Sequence, residues 1–215
     1  MDRVAKLCAF IPPCNVFADV GCDHGYCAQY MLKNGLCKSA IISDISPKSL
    51  NKAEVLLADY IKSGVCRAVC CDGLEKIDGA DLVMIAGMGG EEIVKILDGA
   101  YVPQKFIFQP MKNARKLREY LIKKGCALTA DDMFFHGGKY YFVIVGENSG
   151  NCPPYSEAEL EFGRNSLKNP LIKGYLEEEI SKKRGYLQGD MAAQNKKNIQ
   201  SQIEFLTGVY NCEIR

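Results

Sequence analysis

A turn of eight residues at the end of the first apolar run carries the side chains best suited to chemistry. It reads Asp19-Val20-Gly21-Cys22-Asp23-His24-Gly25-Tyr26. Dinucleotide-binding turns of the form G-x-G-x-x-G carry glycine at the position of Asp23, which lets the backbone approach a pyrophosphate. Carboxylates at Asp19 and Asp23 repel a diphosphate and attract cations. Because S-adenosylmethionine carries a sulfonium and an ammonium group, the turn predicts a site for this methyl donor.

The ends of the later apolar runs supply further candidate ligands. In a doubly wound sheet the ligand lies beyond the carboxyl ends of the strands, so these ends are expected to form one site. Asp44 stands nineteen residues after Gly25, a separation at which an acid accepts hydrogen bonds from the hydroxyls of an adenosine ribose. Asp72 is predicted to accept from the adenine amino group, with Gly73 offering a backbone contact. The alternatives are a helix cap at Asp44 and an acid in a tight turn at Asp72.

The run Ala86-Gly87-Met88-Gly89-Gly90 is unusual, because three glycines cost chain entropy and add little stability. They let the backbone come close to a ligand, and we expect this loop to lie beside the methyl donor and to hold an acceptor base. The predicted donor-binding residues are therefore Asp19, Gly21, Cys22, Asp23, His24, Gly25, Asp44, Ile45, Asp72, Gly73, Ala86, Gly87, Met88 and Gly89.

Strands and helices alternate in the part of the chain that must position these residues. Buried strands are predicted at residues 16–20, 40–43, 67–71, 81–86 and 105–108. A single helix is predicted from Ser46 to Gly64. The runs 126–135 and 140–145 have no helix between them and are expected to pair antiparallel. The pattern predicts an α/β fold with a Rossmann-like, mostly parallel sheet that ends in an antiparallel hairpin.

The chain becomes polar and helical after residue 150. Apolar residues recur at helical spacing from Ile172 to Leu187 and from Ile199 to Tyr210, with turn formers at residues 188–190 between them. Two narrow apolar stripes predict an antiparallel, coiled-coil-like helical hairpin. We therefore expect two units, a ligand-binding domain at 1–150 and the hairpin at 151–215. Because Gly174 and Gly185 weaken its helices, the hairpin is expected to lean on the main domain or on a partner.

Composition excludes several classes of protein. The chain has 215 residues, a net charge of +1 and 11 cysteines, an odd number with no C-x-x-C pair. Cysteines inside apolar runs behave as buried thiols, so we expect neither a disulfide framework nor a metal site. No segment reaches membrane-spanning length and the N-terminus lacks a long apolar stretch, so a cytoplasmic protein without membrane contact is expected.

Positive charge is concentrated in two places. Segment 112–124 carries six basic residues and one acid, and a second cluster comprises residues 182–184 and 196–197. A basic stripe on a nearly neutral protein is suited to gripping phosphates of an RNA. A solvated helix face is the alternative for each cluster.

Taken together, these motifs resemble the bacterial tRNA (adenine-22-N1)-methyltransferase family over the whole chain. The resemblance rests on 19–24, 72–75, 86–90, Gln109-Pro110 with the basic helix after it, 138–141, and the C-terminal hairpin. It implies a class I S-adenosylmethionine-dependent methyltransferase that modifies N1 of an adenine in the D-arm region of tRNA. Asp23 and His24 are the candidate catalytic residues near the transferred methyl group. The expected partner is tRNA, and the expected state is a monomer or weak homodimer.

Three other functions remain open at this point. The same donor site can serve a different acceptor, either a small molecule or a protein. A non-catalytic RNA-binding protein on a methyltransferase fold is the second possibility. A nicotinamide dehydrogenase is disfavoured, because Asp23 occupies the position that a pyrophosphate needs.

Overall fold

One seven-stranded sheet forms the centre of the computed structural model, which describes residues 2–151, 153–189 and 191–213. The strands are β1 (Cys14–Val20), β2 (Cys37–Asp44), β3 (Cys66–Cys70), β4 (Leu82–Met88), β5 (Lys105–Pro110), β6 (Ala127–His136) and β7 (Lys139–Glu147). Their order across the sheet is β3-β2-β1-β4-β5-β7-β6. Strands β1 to β5 run parallel, and β7 lies antiparallel between β5 and β6. The predicted α/β sheet is confirmed.

Helices cover both faces of the sheet. They are α1 (Arg3–Cys8), α2 (Tyr26–Lys33), α3 (Pro47–Leu56) and α4 (Ala58–Lys62) on one face, and α5 (Gly90–Asp98) and α6 (Ala114–Lys123) on the other. Successive residues of β1 serve the two faces, since Phe17 packs with the first group and Ala18 with the second. A strand buried on both sides needs a continuous apolar run, which explains the sequence pattern.

Several predicted element boundaries differ from the structure, and two of the differences bear on the site. The single helix expected from Ser46 to Gly64 is broken at Leu57, whose φ of −107° lies outside the helical range. Leu57 is fully buried and packs beside Gly25, so tertiary packing sets the break. Strand β4 ends at Met88 instead of Ala86, because a bulge between these residues carries the strand two residues further. Gly87 absorbs the bulge with a φ of +79°.

The C-terminal helices are α7 (Glu157–Phe162), α8 (Leu171–Tyr186) and α9 (Ala193–Glu213), with a short 3-10 helix at Ser166–Lys168. Helices α8 and α9 are antiparallel, since Lys183 Nζ donates to Gln202 Oε1 (2.8 Å) and the Tyr210 hydroxyl donates to Glu177 Oε1 (2.7 Å). Asp190, which belongs to the predicted bend, lies outside the described residues. The hairpin leans on the sheet through an apolar cluster that comprises Met133, Phe162, Leu167, Ile172, Leu176, Ile180, Leu206 and Val209.

A buried ion pair also ties the C-terminal helices to the sheet. Arg118 of α6 and Asp131 of β6 are both fully buried, and Arg118 Nε donates to Asp131 Oδ2 at 2.8 Å. Arg118 Nη1 donates in addition to the backbone carbonyls of Leu160 (3.1 Å) and Glu161 (2.9 Å) in α7. One guanidinium therefore connects the sheet, α6 and α7.

Candidate active site

Two cavities adjoin at the carboxyl edge of the sheet. The first, of about 390 Å³, is lined by Asp44, Ile45, Asp72 and Gly73 and is called the β2–β3 cavity below. The second, of about 400 Å³, is called the β1–β4 cavity and is lined by residues that include Asp19, Cys22, Asp23, His24, Ala86, Gly87 and Gln109. Gly21 and Met88 line both cavities, so the two spaces meet where these residues touch.

The turn after β1 owes its shape to close packing. Gly21 has a φ of +68°, and the Met88 methyl group fills the place that a Cβ at Gly21 would need. Gly25 has a φ of +70°, and a Cβ there would lie 2.9 Å from the Cβ of Ala53. Gly25 lies behind the cavity wall and lines neither cavity. Glycine is required at position 25 because the turn packs closely against α3.

Asp19 is the buried acid of the site. Its side chain is 4% exposed, and its Oδ2 accepts the backbone N–H of Ala28 at 3.2 Å. Burial raises the pKa of Asp19 to about 7, the Ala28 hydrogen bond opposes this rise, and nearby Asp44 adds to it. Asp19 makes no ion pair with any residue in the described ranges. A bound cation would therefore relieve the cost of ionising this group.

Asp44 is not the cap of α3, which is Ser46, but it accepts two backbone hydrogen bonds beside the start of that helix. Its Oδ1 accepts the N–H of Ser46 (2.9 Å) at the start of α3, and its Oδ2 accepts the N–H of Asp23 (3.2 Å) in the turn. The same carboxylate lines the β2–β3 cavity beside Ile45, which is 64% exposed. Asp44 therefore holds the turn in place and still presents an acceptor group to a ligand.

Asp23 and His24 lie at the rim of the β1–β4 cavity. Asp23 has a φ of +46°, its side chain is 57% exposed, and Lys52 Nζ donates to its Oδ1 at 2.8 Å. The hydrogen bond from Lys52 lowers the pKa of Asp23. The ring of His24 stacks on Tyr26 with a centroid distance of 5.2 Å. The sequence predicted that both Asp19 and Asp23 attract a cationic ligand. Because Asp23 is already paired with Lys52, we assign this role to Asp19.

The three glycines of the 86–90 run have different tasks. Gly87 is exposed to the β1–β4 cavity, and no atom lies within 4 Å of the place where its Cβ would stand. A Cβ at Gly90 would collide with the carbonyl oxygen of Asn113, and one at Gly89 would lie 3.1 Å from Lys112 Cε. Gly89 and Gly90 are buried against the loop after β5 and line neither cavity. Gly89, which was expected to bind the donor, therefore lies outside both cavities.

Residues outside the predicted donor-binding set complete the β1–β4 cavity. Gln109 closes β5 and lines the cavity, as do Arg3, Val4 and Leu7 of α1. The position of Gln109 at a strand end was a usable signal. Nothing in the sequence of α1 indicates that this helix lies at the same cavity.

The basic segment 112–124 is less available than its charge suggests. Arg118 is buried, Arg115 contacts Glu119, Glu157 and Glu161, and Lys124 contacts Asp98. Lys112 and Lys116 make no ion pair with a described residue. Together with Lys139 they line a cleft of about 680 Å³ between the loop after β5, β7 and α8, called the hairpin cleft below.

Two other kinds of site have no counterpart in the described ranges. No group of three His, Cys, Asp or Glu residues is placed to hold a metal ion there. None of the helices described is both long and apolar enough to cross a membrane.

The strand order, the acids that end β1 and β2 and the two adjoining cavities define a class I methyltransferase domain. Residues 1–144 match the family described as "Methyltransferase domain". Over 170 residues the chain is 32% identical to the tRNA (adenine(22)-N(1))-methyltransferase of Bacillus subtilis (strain 168), covering 75% of this chain and 70% of the relative. The chain belongs to the tRNA (adenine(22)-N(1))-methyltransferase family, as its motifs predict.

Solved structures agree with this assignment over nearly the full length. M. capricolum TrmK in complex with S-adenosyl-homocysteine superposes with a TM-score of 0.89 at 25% identity, covering 99% of this chain and 98% of the other. The B. subtilis M1A22 tRNA methyltransferase TrmK gives a TM-score of 0.82 at 26% identity, covering 97% of each chain. The similarity therefore includes the C-terminal hairpin as well as the sheet.

Proposed function

We propose that this protein transfers a methyl group from S-adenosylmethionine to N1 of adenine 22, in the D-arm region of tRNA. The observation that carries the proposal is the buried Asp19, which makes no ion pair with a described residue and lines a cavity that shares Gly21 and Met88 with an acid-lined second cavity. When bound, S-adenosylmethionine supplies a methyl group on a positively charged sulfur. A site for such a ligand needs one acid for its charged end and acceptors for its nucleoside end, and both are present.

The residues divide between the two ends of the donor. In the β2–β3 cavity, Asp44 is proposed to accept hydrogen bonds from the ribose, and Asp72, with the Gly73 backbone, to contact the adenine beside Ile45. In the β1–β4 cavity, Asp19 is proposed to bind the ammonium group. The remaining wall at the junction and in the second cavity is formed by Gly21, Cys22, Ala86, Gly87 and Met88.

The acceptor base is proposed to enter at the rim formed by Asp23 and His24. Adenine N1 already has a lone pair, so positioning supplies most of the catalysis and no proton must leave first. N1 lies on the Watson-Crick edge, so the base must be unpaired or turned out of its stack. The methylated ring is cationic, and a carboxylate at Asp23 is suited to stabilising the charge as it develops.

The tRNA backbone is proposed to lie along the hairpin cleft. Two of its three acids are paired with bases, since Glu161 contacts Arg115 and Glu179 contacts Lys182, and the third, Glu178, is hydrogen-bonded to Tyr140. Lys112, Lys116 and Lys139 are exposed and unpaired among the described residues, so they remain available to phosphates. We propose that residues 151–215 act as an RNA-positioning unit, and that the protein works in the cytoplasm as a monomer or weak homodimer.

The deciding experiment incubates the full chain with labelled S-adenosylmethionine and unmodified tRNA, and maps the product by primer extension. Reverse transcriptase is expected to stop at position 22, because N1-methyladenine cannot pair. Donor binding without an RNA product would favour another acceptor, and absence of donor binding would favour a non-catalytic RNA-binding protein.

Variants of the rim residues test their proposed part in the reaction. In Asp23→Asn and in His24→Ala the methylation rate is expected to fall while donor affinity, measured by calorimetry, stays within about fivefold of wild type. Loss of donor binding in either variant would assign that residue to the donor instead.

A further inference from the structure

Gln109 is a buried polar residue that has no proposed role in binding the donor. It lies near the carboxyl end of β5, opposite Ala86 of β4, and its side chain is only 2% exposed. It lines the β1–β4 cavity together with Asp19 and Gly87. A buried carboxamide in a cavity wall is expected to have partners for both its amide nitrogen and its carbonyl oxygen.

Only the nitrogen of this carboxamide has partners in the described part of the chain. Gln109 Nε2 donates to the backbone carbonyl of Pro110 at 3.2 Å and lies 3.5 Å from the sulfur of Met111. The Pro110 carbonyl accepts only, so the nitrogen must face it and the orientation of the amide is fixed. The Oε1 atom accepts no hydrogen bond from a described residue. It is therefore the atom that Gln109 has left for a ligand in the cavity.

We propose that Gln109 identifies the target base as adenine by accepting a hydrogen bond from its exocyclic N6 amino group. The inference rests on the proposed function, because it concerns the same cavity and the same acceptor. In adenine the N6 donor is adjacent to the N1 atom that is methylated. In guanine the corresponding atom is the acceptor O6, which would face Oε1 as a second acceptor without a proton between them.

The same hydrogen bond favours the transition state over the ground state. N1 uses its lone pair to form the new bond to the methyl carbon, the bond from that carbon to sulfur breaks, and the ring takes up the positive charge. The N6 protons become more acidic as this charge develops. An acceptor fixed at N6 is therefore bound more strongly in the transition state, which raises the rate as well as the selectivity.

The test is a double-mutant cycle between the residue and the substrate group. Wild type and Gln109→Met are compared on tRNA with adenosine at the target position and on tRNA with purine riboside there, which lacks the 6-amino group. Single-turnover rates are measured at saturating donor. Removing either partner is expected to slow the reaction, and removing both is expected to cost no more than removing the amino group alone. The coupling expected for one hydrogen bond is about tenfold.

Matched variants separate this interaction from a structural one. Gln109→Glu keeps an acceptor, so it is expected to retain the preference for adenosine over purine riboside even if the loss of the Pro110 contact lowers its rate. Gln104 precedes β5, and its Nε2 also donates to a backbone carbonyl, that of Asn148 at 3.3 Å. Gln104→Met is expected to give no coupling to the substrate group.

Equilibrium binding gives a second readout that does not depend on turnover. Wild type is expected to prefer adenosine tRNA over purine-riboside tRNA in binding, and this ratio of affinities is expected to be smaller in Gln109→Met. Donor affinity is expected to be the same in both proteins. If the effects of Gln109→Met and of removing the 6-amino group simply multiply, the two groups do not interact. That result would overturn the proposal and leave Gln109 a structural role. Failure of wild type to methylate adenosine tRNA at the target position would instead overturn the proposed function, and this inference with it.

Discussion

At the carboxyl edge of the sheet, Asp19 is buried in the wall of the β1–β4 cavity and makes no ion pair with a described residue. On α6, by contrast, both arginines are held by acids of the protein. Asp19 is therefore available to pair with a cationic ligand, whereas Arg115 and Arg118 are already paired with acids of the protein. The difference shows that a charge serves binding only where folding has left it without a partner.

The largest expected effect tests the claim that Arg118 acts within the fold. Arg118→Met keeps most of the volume but leaves Asp131 buried and without its partner. The free energy of unfolding is expected to fall by about 3–5 kcal/mol, measured by urea denaturation. Arg115→Met is the matched control, because its ion pairs are exposed and are worth about 0–1 kcal/mol. Equal, small effects would contradict the claim that Arg118 stabilises the fold.

The second effect concerns the unpaired acid. Asp19→Asn removes the charge that is proposed to bind the donor ammonium, and donor affinity is expected to fall about 100-fold, or about 2.7 kcal/mol, by calorimetry. The exposed Asp23 provides the comparison, since Asp23→Asn is expected to change donor affinity by less than about fivefold. A larger loss of donor affinity in Asp23→Asn than in Asp19→Asn would instead assign binding of the ammonium group to Asp23.

The pKa of Asp19 gives this substitution a pH signature. Burial raises the pKa of Asp19 from 3.8 to about 7. Between these two pH values, Asp19 is protonated in the native state and ionised in the unfolded state. Stability is therefore expected to fall as pH rises from about 4 to 7, by up to about 4 kcal/mol. Asp19→Asn is expected to remove this dependence and to be more stable than wild type at pH 8. Donor affinity of wild type is expected to rise with pH through 7, as Asp19 ionises.

The third effect concerns the cations that folding leaves available. Replacing Lys112, Lys116 and Lys139 by glutamine is expected to weaken tRNA binding about 30-fold at low salt and to reduce the slope of log affinity against log salt by about 2. Lys38, Lys62 and Lys76 lie away from the hairpin cleft, and their replacement is the control. An equal change in both sets would mean that RNA attraction is diffuse rather than located in the cleft.

Much of the carboxyl edge could be predicted because topology fixes it. Parallel strands end at one edge, so Asp19, Asp44 and Asp72 had to meet there once the strands were recognised. The sequence did not show whether Asp19 or Asp23 keeps a free charge, because Lys52, which pairs with Asp23, lies on α3. Arg118 was misjudged for the same reason, since its partners come from β6 and α7. Local spacing locates strand ends, and long-range contacts decide which charges remain.

The smallest expected effect compares two glycines of α8, each of which weakens a helix. Gly174 faces the sheet, where a Cβ would lie 2.7 Å from the Tyr140 hydroxyl, whereas Gly185 is exposed with no atom within 4 Å. Gly185→Ala is expected to raise stability by about 0.5 kcal/mol, because helix propensity acts alone near the helix end. Gly174→Ala is expected to lower it by about 1 kcal/mol, since Tyr140 must move.

Tyr140→Phe tells whether that contact is the cause. In this background Gly174→Ala is expected to become neutral or stabilising by thermal unfolding, because the hydroxyl that the new methyl group meets has been removed. If Gly174→Ala stabilises the wild-type protein as much as Gly185→Ala does, the hairpin does not depend on close packing at Tyr140. The glycine at 174 would then be as free of the sheet as the one at 185.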